Sequence, residues 1–332
     1  MEVLEQAARV VGPLLRARVA CLPSGIRHVA GLHFGWWRDD GSALETAPPH
    51  KSVRPALTLL SCQAVGGSPQ AALPAAVAVE LVHNASLLHD DIIDHDSQRR
   101  GRTALWAAKG LPAAILVGDA LFFAAVEALT GLPQAGRTVP VLLACVQDLI
   151  EGEYLDTLLE SAAEVTEQQV LAVAAGKTGE LLACACELGA AVHGAGPERA
   201  GHLRAFGRHL GIAFQCVDDV LGIWGEEKAT GKPALSDLRA RKMSLPVATA
   251  MSGHSPPARE LRALYHAQQP PTEEDCRRAA ALIEDTGARE VTLERARQHT
   301  AEALEHLSRA RPEAQAGTEL AALAALLTTR TH

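Results

Sequence analysis

Residues 70–94, QAALPAAVAVELVHNASLLHDDIID, begin as a nearly apolar stretch and end in three aspartates, Asp90, Asp91 and Asp94. The small and aliphatic residues predict a buried helix over 70–94. Burying aspartate there is costly and needs a compensating partner. Asp90 and Asp94 are four residues apart and project from one face, whereas Asp91 points about 100° away. Such carboxylates suit Mg²⁺. The alternative is a solvated acidic helix end.

The rest of the chain repeats this pattern of long helices separated by short Gly- and Pro-rich loops. Further long helices are predicted at 112–130, 137–160, 166–189 and 199–224. Only 3% of the residues are aromatic, so Ala, Leu and Val must fill the core, which favours closely packed helices over a β-rich fold. The sequence therefore predicts an all-α protein, with residues 1–332 forming a single large helical domain.

Several function classes are excluded by charge and pattern. The net charge is −8 and there is no stripe of Lys and Arg, which argues against a nucleic-acid partner. Seven scattered cysteines without CxxC spacing predict reduced core thiols and a cytoplasmic protein. The N-terminus lacks a signal-peptide pattern, and charged residues interrupt the most apolar run, 113–129, so no membrane span is expected. GKTG (176–179) resembles the end of a P-loop but lacks its first glycine and a preceding strand.

A second acidic pair, Asp218 and Asp219, lies in another apolar helix. If the two acidic helices faced each other, their carboxylates would clamp metals that hold a diphosphate. Cations suited to an anionic substrate occur at Lys51, Arg54, Arg99, Arg100, Lys177, Lys232 and Lys242. His83 lies seven residues before Asp90, on the same helix face. Any one of these residues is more often a surface cation or a core histidine, so the prediction depends on the whole set.

The chain resembles the trans-prenyltransferases, the polyprenyl synthetase family of isoprenoid diphosphate synthases, and among them the geranylgeranyl diphosphate synthases. Eight segments over residues 45–250 occur in the order seen in that family: KSVRP, HNASLLHDDIID, RRG, GDALF, GKTG, FQCVDD, TGKP and SDLRARKMSLP. The resemblance implies the isoprenoid synthase fold, a helical bundle around a deep central cavity. It also implies a homodimer that condenses isopentenyl diphosphate with an allylic diphosphate, using three Mg²⁺ per active site, with Mn²⁺ as a substitute.

The resemblance also assigns roles to matching residues. The metal ligands are Asp90, Asp94 and Asp218, supported by Asp91 and Asp219. The isopentenyl diphosphate site corresponds to Lys51, Arg54, His83 and Arg100. The allylic diphosphate site corresponds to Arg99, Lys177, Thr178, Gln215, Lys232 and Lys242. Catalysis falls to the five aspartates with Lys177 and Lys232. The metals and lysines would stabilise the departing diphosphate, and no nucleophile or strong base is required.

One departure from the family pattern leaves alternatives open. The second motif is usually DDxxD, but here Gly222 replaces the last aspartate, which predicts weaker metal binding. Asp218, Gly222 and Glu226 have the spacing DxxxGxxxE, a relaxed form of the class I terpene cyclase motif, so cyclisation is the main alternative. Against it stand the cations of the isopentenyl diphosphate site, because a cyclase has no second diphosphate to hold. A weakly active subunit of a heteromeric synthase ranks last, since the first motif keeps its aspartates.

Product length is expected to depend on the residues that precede the first aspartates. Ala85 and Ser86 are small and leave the floor of the cavity open, which predicts geranylgeranyl diphosphate as the product, with longer products left open. Phe122 and Phe123 lie near the start of a neighbouring helix and could close the tunnel. Plain core packing is the alternative for these two phenylalanines.

Overall fold

The computed structural model describes residues 2–38, 42, 52–160, 162, 164–225 and 234–329. Within these ranges nearly all regular structure is helical. The helices are α1 (Glu2–Ala20), α2 (Ser24–Phe34), α3 (Val53–Ala64), α4 (Leu73–Ile93), α5 (Leu105–Lys109), α6 (Leu111–Thr130), α7 (Ala135–Glu160), α8 (Glu167–Ala174), α9 (Glu180–Val192), α10 (Pro197–Trp224), α11 (Ser236–Arg239), α12 (Leu245–Ser252), α13 (Pro256–Tyr265), α14 (Glu273–Asp285), α15 (Ala288–Arg309) and α16 (Ala314–Thr328). The all-α prediction is confirmed.

The five long helices predicted from the sequence are present, with two local differences. A 3₁₀ turn (Pro69–Ala72) precedes α4, and a π-helical turn (Ala175–Gly179) joins α8 to α9. The start of α8 shows the expected capping box: Gln169 N donates to Thr166 Oγ1 over 3.3 Å, and Thr166 N donates to Gln169 Oε1 over 2.9 Å. A π turn inserts one residue into the helical ladder and is frequent at functional sites.

A short hairpin follows α4 and was not predicted. Its strands, β1 (Gln98–Arg99) and β2 (Arg102–Thr103), pair antiparallel, with Arg99 opposite Arg102. Arg100 and Gly101 form the two-residue loop with φ values of +53° and +70°. Turns with positive φ at both central residues match the twist of the flanking strands, and glycine adopts this conformation without strain. Strands of two residues are too short to show the alternation of apolar and polar residues by which a strand is predicted.

Contacts divide the chain into two compact units, each made of separate segments. The first contains Met1–Gln147, Leu181–Arg204 and Leu307–Leu320; the second contains Asp148–Glu180, Ala205–His306 and Ala321–His332. Every boundary falls inside a helix, namely α7, α9, α10, α15 or α16. Because the boundaries lie within helices and not in loops, the sequence shows no linker at these points. The single domain stays a prediction.

In the first unit, α4 packs against α1, α3 and α6. Small residues permit this close packing: Ala75, Ala76 and Ala78 on α4 are fully buried. A Cβ on Gly118 of α6 would lie only 2.3 Å from His89 Nε2 on α4. The aliphatic core expected from the scarcity of aromatic residues is therefore built from alanines and glycines at helix contacts.

In the second unit, α8 and the π turn pack together and α8 also contacts α12. Their buried side chains include Val170, Ile212, Cys216 and Ala248. The cysteines are free thiols, and all are buried except Cys21, which is exposed and corrects the expectation that every cysteine lies in the core.

Two stretches of the described chain are long and apolar enough to cross a membrane by length and composition alone. These are Pro69–Ile93, which is 67% buried within the protein, and Leu111–Thr130, which is 44% buried. Core helices of soluble proteins meet the same criterion. The partial exposure of α6 bears on the oligomeric state considered below.

Candidate active site

The first aspartate group lies at the end of α4. Carboxylate oxygens of Asp90 and Asp94 lie within 4.8 Å of each other, as their i, i+4 spacing predicted. Arg99 of β1 bridges the group: its Nε donates to Asp91 Oδ1 over 2.5 Å, and its Nη2 donates to Asp90 Oδ2 over 2.8 Å. The hairpin therefore holds a guanidinium against the first two aspartates, where it can also meet a phosphate oxygen.

Asp91 is the buried member of this group, with 1% of its surface exposed. Its Oδ2 atom is buried and has no hydrogen-bond donor, an arrangement that destabilises a protein by about 1–3 kcal/mol. Burial raises the pKa of Asp91 to about 6, although the hydrogen bond from Arg99 acts in the opposite direction. An oxygen-only ligand group with an unsatisfied buried acceptor fits a hard divalent cation such as Mg²⁺.

Three of the four residues predicted to bind isopentenyl diphosphate share one electrostatic environment. Burial lowers the pKa of Arg54 to about 10, and the carboxylate of Glu80 opposes this shift. Burial, followed by the charges of Arg54 and Arg100, lowers the pKa of His83 far below its usual range, so its imidazole is neutral. The fourth residue, Lys51, lies outside the described residues.

Glu80 is a buried acidic residue, coupled to Arg54 and Arg100, that the sequence analysis did not single out. It is 6% exposed, and burial raises its pKa while Arg54 and Arg100 lower it. Asn84 Nδ2 donates to the Glu80 backbone carbonyl over 2.8 Å and to Glu80 Oε1 over 3.2 Å. A single acidic residue within the apolar run of α4 was the signal that could have revealed it. Glu80 supplies the negative charge that offsets the mutual repulsion of Arg54 and Arg100.

The chain of buried polar groups continues from Asn84 to His33 of α2. Because the amide nitrogen of Asn84 donates to Glu80, its Oδ1 is an acceptor, and His33 Nε2 at 3.2 Å must carry the proton. Burial lowers the pKa of His33 to about 3, and the charge of Arg100 acts in the same direction. His33 therefore stays neutral at physiological pH.

A cleft of about 650 Å³ lies beside the hairpin and is lined by Arg99, Arg100, Arg102, His33 and Trp37. Arg102 donates from Nη1 to the Leu32 carbonyl over 3.0 Å and from Nη2 to the His33 carbonyl over 2.8 Å. These bonds fasten the hairpin to the end of α2. With Arg38, four arginines line this cleft, which makes it suited to a small polyanion such as a diphosphate.

In the second unit, the π turn places Lys177 between two carboxylates of α7. The Lys177 ammonium donates to Glu153 Oε1 over 3.0 Å and to Asp156 Oδ2 over 2.8 Å. A Cβ on Gly152 would lie 2.6 Å from Lys177 N, so glycine permits α7 to approach the turn this closely. The i, i+3 spacing of the two acidic residues was the signal in the sequence, but only the fold shows that both serve one lysine.

Thr178, Gln215 and Asp219 form a hydrogen-bonded chain. Thr178 Oγ1 donates to Gln215 Oε1, and Gln215 Nε2 donates to Asp219 Oδ1, each over 2.8 Å. The other oxygen of Asp219 accepts from Leu245 N over 2.9 Å. Burial raises the pKa of Asp219 to about 6, against the opposing charge of Lys242. Asp219 is thus held as a structural carboxylate, whereas its neighbour Asp218 is exposed.

Lys242 lies among carboxylates in the same region. Burial would lower its pKa, but Asp219, Asp237 and Asp218 raise it above its ordinary value. A small cavity of about 80 Å³ is lined by five of the predicted residues, Lys177, Thr178, Gln215, Asp219 and Lys242. The structure therefore brings together most of the predicted allylic diphosphate residues of this unit. Lys232 lies outside the described residues, as does Glu226 of the cyclase-like spacing.

Gly222, the position that departs from DDxxD, adjoins a carboxylate from elsewhere in the chain. A Cβ on Gly222 would lie 2.1 Å from Asp237 Oδ2 and 2.4 Å from its Cγ. Asp237 therefore occupies the space beside the helix into which a side chain at 222 would extend. This gives the glycine a packing reason that has nothing to do with cyclisation. Asp237, within SDLRARK, is a second acidic residue that the sequence reasoning missed.

The four residues predicted to control product length differ in their exposure and in their contacts. Ala85 is fully buried, and Ser86 Oγ donates to the His83 carbonyl over 2.9 Å. Phe122 packs edge to face on His89 at 5.7 Å, but Phe123 is 78% exposed. Closure of a tunnel by Phe123 within this chain is therefore wrong. Consecutive helical residues point about 100° apart, so only one of the two can face inward.

Comparison with known proteins agrees with this geometry. The sequence model for the polyprenyl synthetase family matches residues 43–283. The chain belongs to the polyprenyl synthetase family. It is 41% identical over 331 residues to geranylgeranyl diphosphate synthase of Mycobacterium tuberculosis (strain ATCC 25618 / H37Rv), covering 99% of this chain and 93% of the relative. It is 38% identical over 314 residues to (2E,6E)-farnesyl diphosphate synthase of Mycobacterium bovis (strain ATCC BAA-935 / AF2122/97), covering 93% and 87%.

The fold agrees with a solved member of the family. A polyprenyl synthetase from Streptomyces coelicolor A3(2) superposes with a TM-score of 0.94 and 41% sequence identity, covering 99% of each chain. The predicted isoprenoid synthase fold is confirmed. The protein is a trans-prenyltransferase of a family that uses isopentenyl diphosphate, allylic diphosphates and Mg²⁺. Because the named relatives include geranylgeranyl and farnesyl diphosphate synthases, product length is not decided by similarity.

Proposed function

We propose that this prenyltransferase extends allylic diphosphates with isopentenyl diphosphate and releases geranylgeranyl diphosphate. The observation that carries the proposal is the small, fully buried side chain of Ala85, five residues before Asp90 on α4. Five helical residues span about 7.5 Å, so this position lies below the aspartates along the helix axis. A small residue there takes up little of the space that a growing apolar chain needs, whereas a large side chain would block the chain.

Mg²⁺ is proposed to bind Asp90, Asp94 and Asp218, with three ions in total and Mn²⁺ as a substitute. When bound, Mg²⁺ neutralises diphosphate charge and favours departure of the leaving group. The donor set supports this assignment because its oxygens match the preference of Mg²⁺, and Asp91 offers a buried acceptor that lacks a donor. Arg99 orients Asp90 and Asp91 through its two hydrogen bonds.

Isopentenyl diphosphate is proposed to bind Lys51, Arg54, His83 and Arg100. The two arginines supply charge and bidentate donors, whereas neutral His83 contributes a single N–H group without adding charge. Glu80 limits the mutual repulsion of the arginines before the anion arrives. This balance lets a concentrated positive site exist in the folded protein without its ligand.

The allylic diphosphate is proposed to contact Arg99, Lys177, Thr178, Gln215, Lys232 and Lys242. Lys177 and Lys242 are already surrounded by carboxylates, which hold the ammonium groups in fixed positions. Preorganised cations stabilise charge that develops on the departing diphosphate without needing to reorganise during the reaction. The final proton can leave to the released diphosphate, so the chain needs no dedicated strong base.

The enzyme is proposed to work as a cytoplasmic homodimer. Leu111, Ile115, Leu116 and Phe123 lie on one side of α6 and are 44–78% exposed. Contiguous apolar exposure of this kind marks interaction surfaces, and a second copy of the same chain would bury it. Size-exclusion chromatography with light scattering should show a dimer that Phe123→Glu weakens; an unchanged dimer would place the contact elsewhere.

The catalytic proposal is tested by incubating the purified chain with Mg²⁺, isopentenyl diphosphate and each allylic diphosphate in turn. We expect geranylgeranyl diphosphate as the main product by chromatography of the dephosphorylated alcohols. Omission of isopentenyl diphosphate is the control and should abolish product. Farnesyl diphosphate as the end product would refute the proposed length, whereas hydrocarbon formed without isopentenyl diphosphate would refute elongation itself.

A further inference from the structure

Three side chains of the second unit converge on one point of α10 and α15 and have no role in the reaction described above. His209 Nδ1 lies 3.0 Å from His299 Nδ1. The same Glu302 Oε2 atom lies 2.8 Å from His209 Nδ1 and 3.3 Å from His299 Nδ1. His299 and Glu302 are three residues apart on α15 and share one face of that helix. Three ligand-type atoms thus form a triangle about 3 Å on a side.

Hydrogen bonds among these three side chains cannot pair all of the lone pairs that face one another. A neutral imidazole carries one proton, so the two facing Nδ1 atoms and the carboxylate oxygen present more lone pairs than protons to one another. Protonating both Nδ1 atoms would instead bring two N–H groups together at 3.0 Å. A cation between the three atoms resolves this conflict, because every lone pair can then point at the same ion.

A neighbouring ring restricts the orientation of the His209 imidazole. His306 stacks on His209 with ring centroids 5.7 Å apart and fixes the plane of that ring. The Nδ1 atom of His209 is therefore held beside His299 Nδ1 and Glu302 Oε2.

The triangle matches a small transition-metal ion. Zinc binds histidine nitrogen and carboxylate oxygen at about 2.0–2.2 Å, and an ion about 2.05 Å from all three atoms would lie about 1 Å above their plane. Nitrogen ligands favour such ions over Mg²⁺, which prefers oxygen. The side chain of Glu302 is 52% exposed, so the outer face of the ion would be open to water.

We propose that His209, His299 and Glu302 form a second metal site, for a divalent transition-metal ion of the Zn²⁺ type, that cross-links α10 to α15. The site is separate from the proposed Mg²⁺ ligands, since His209 precedes Asp218 by nine residues, or about 13 Å along α10. Its role is structural: it anchors the helix that carries Gln215, Asp218 and Asp219. The ion is not required for the transferase reaction.

The test is calorimetric titration of the full-length protein with Zn²⁺ in saturating Mg²⁺, which occupies carboxylate-only sites. We expect one equivalent of Zn²⁺ to bind, and His299→Ala and Glu302→Gln to weaken it at least about 100-fold, more than the 10–100-fold typical of changes around a ligand. Glu302→Gln changes a half-exposed residue and keeps its shape, so it should fold even if His299→Ala does not. His254→Ala, which removes an exposed histidine, is the matched control and should bind like the wild type.

Co²⁺ provides an independent signal. Bound at the same site it should give a visible d–d absorption band that Zn²⁺ displaces and that Glu302→Gln abolishes. The proposal is overturned if the wild type binds no more Zn²⁺ than Glu302→Gln, or if His254→Ala loses binding equally. Prenyltransferase activity measured with Mg²⁺ alone should be the same in wild type and Glu302→Gln; loss of activity in the variant would refute the purely structural role.

Discussion

Replacing Gly222 with aspartate restores the usual DDxxD motif in the sequence, yet the structure predicts that it destabilises the protein. A Cβ at this position would lie 2.1 Å from Asp237 Oδ2, whereas ordinary contacts begin at 3.4 Å. The Asp237 carboxylate would have to move by roughly 1.3 Å, and overpacking of this kind costs about 1–3 kcal/mol.

The new charge adds a second penalty. Two carboxylates about 4 Å apart repel by about 4 kcal/mol at an effective dielectric constant of about 20. Removing a glycine from a helix interior offsets at most about 1 kcal/mol of this. We therefore expect Gly222→Asp to lower the free energy of unfolding by at least about 3 kcal/mol, allowing for some relaxation.

Urea unfolding of Gly222→Asp, Asp237→Ala and the double variant measures the effect. The double variant should recover at least about 2 kcal/mol relative to the sum of the single changes, because the clash and the repulsion both involve Asp237. Gly201→Asp is the matched control, since Gly201 also lies in α10 but a Cβ added there would meet no atom within 4 Å. Additive effects, or a Gly222→Asp variant as stable as the wild type, would refute the reasoning.

Three further predictions concern α4 and its buried network. Asp90→Ala should lower kcat at least about 1,000-fold, equal to about 4 kcal/mol of lost transition-state stabilisation, with helical circular dichroism retained. Ala85→Phe should shorten the product by filling the space below the aspartates, as measured by chromatography. His33 has a pKa of about 3 when folded against 6.5 when unfolded, so it stabilises the protein above pH 6.5 and this stability is lost as pH falls toward 3. His33→Gln should therefore flatten the fall in unfolding free energy by about 1.4 kcal/mol per pH unit between pH 6 and 4.

Each of these three predictions has a control variant that should behave like the wild type. Asp285→Ala, an exposed acidic residue of α14, should leave kcat unchanged, and near-normal turnover in Asp90→Ala would refute the metal role. Ala85→Ser should keep the product length, and an unchanged product in Ala85→Phe would show that the chain grows elsewhere. His254→Gln should follow the wild-type pH dependence; if His33→Gln does so too, the buried imidazole has no part in acid unfolding.

Much of the site was predictable because its residues act through local spacing. The i, i+4 relation of Asp90 and Asp94 places two carboxylates together on any α-helix, whatever surrounds it. The long helices were predictable for the same reason, since apolar periodicity and caps such as Thr166 are local. The hairpin at Arg99 was not, because its two-residue strands depend on pairing and on a positive φ at Arg100.

The missed residues act through contacts between distant segments. Glu80 balances Arg54 and Arg100, and Asp237 fills the space beside Gly222. Neither relation leaves a spacing in the sequence, because the partners come from different elements. The prediction for Phe123 was wrong for a different reason. Its apolar side chain predicted an interior position, but its place on the helix leaves it exposed.

The sequence by itself determined the all-α class, the helix positions, the two acidic motifs and the family, because these follow from periodicity and from ordered local motifs. Tertiary structure alone decided which polar groups meet: Arg99 with Asp90 and Asp91, Lys177 with Glu153 and Asp156, and His209 with His299 and Glu302. Coulomb and hydrogen-bond energies depend on distance and burial rather than on sequence separation, so these pairings exist only once the helices have packed.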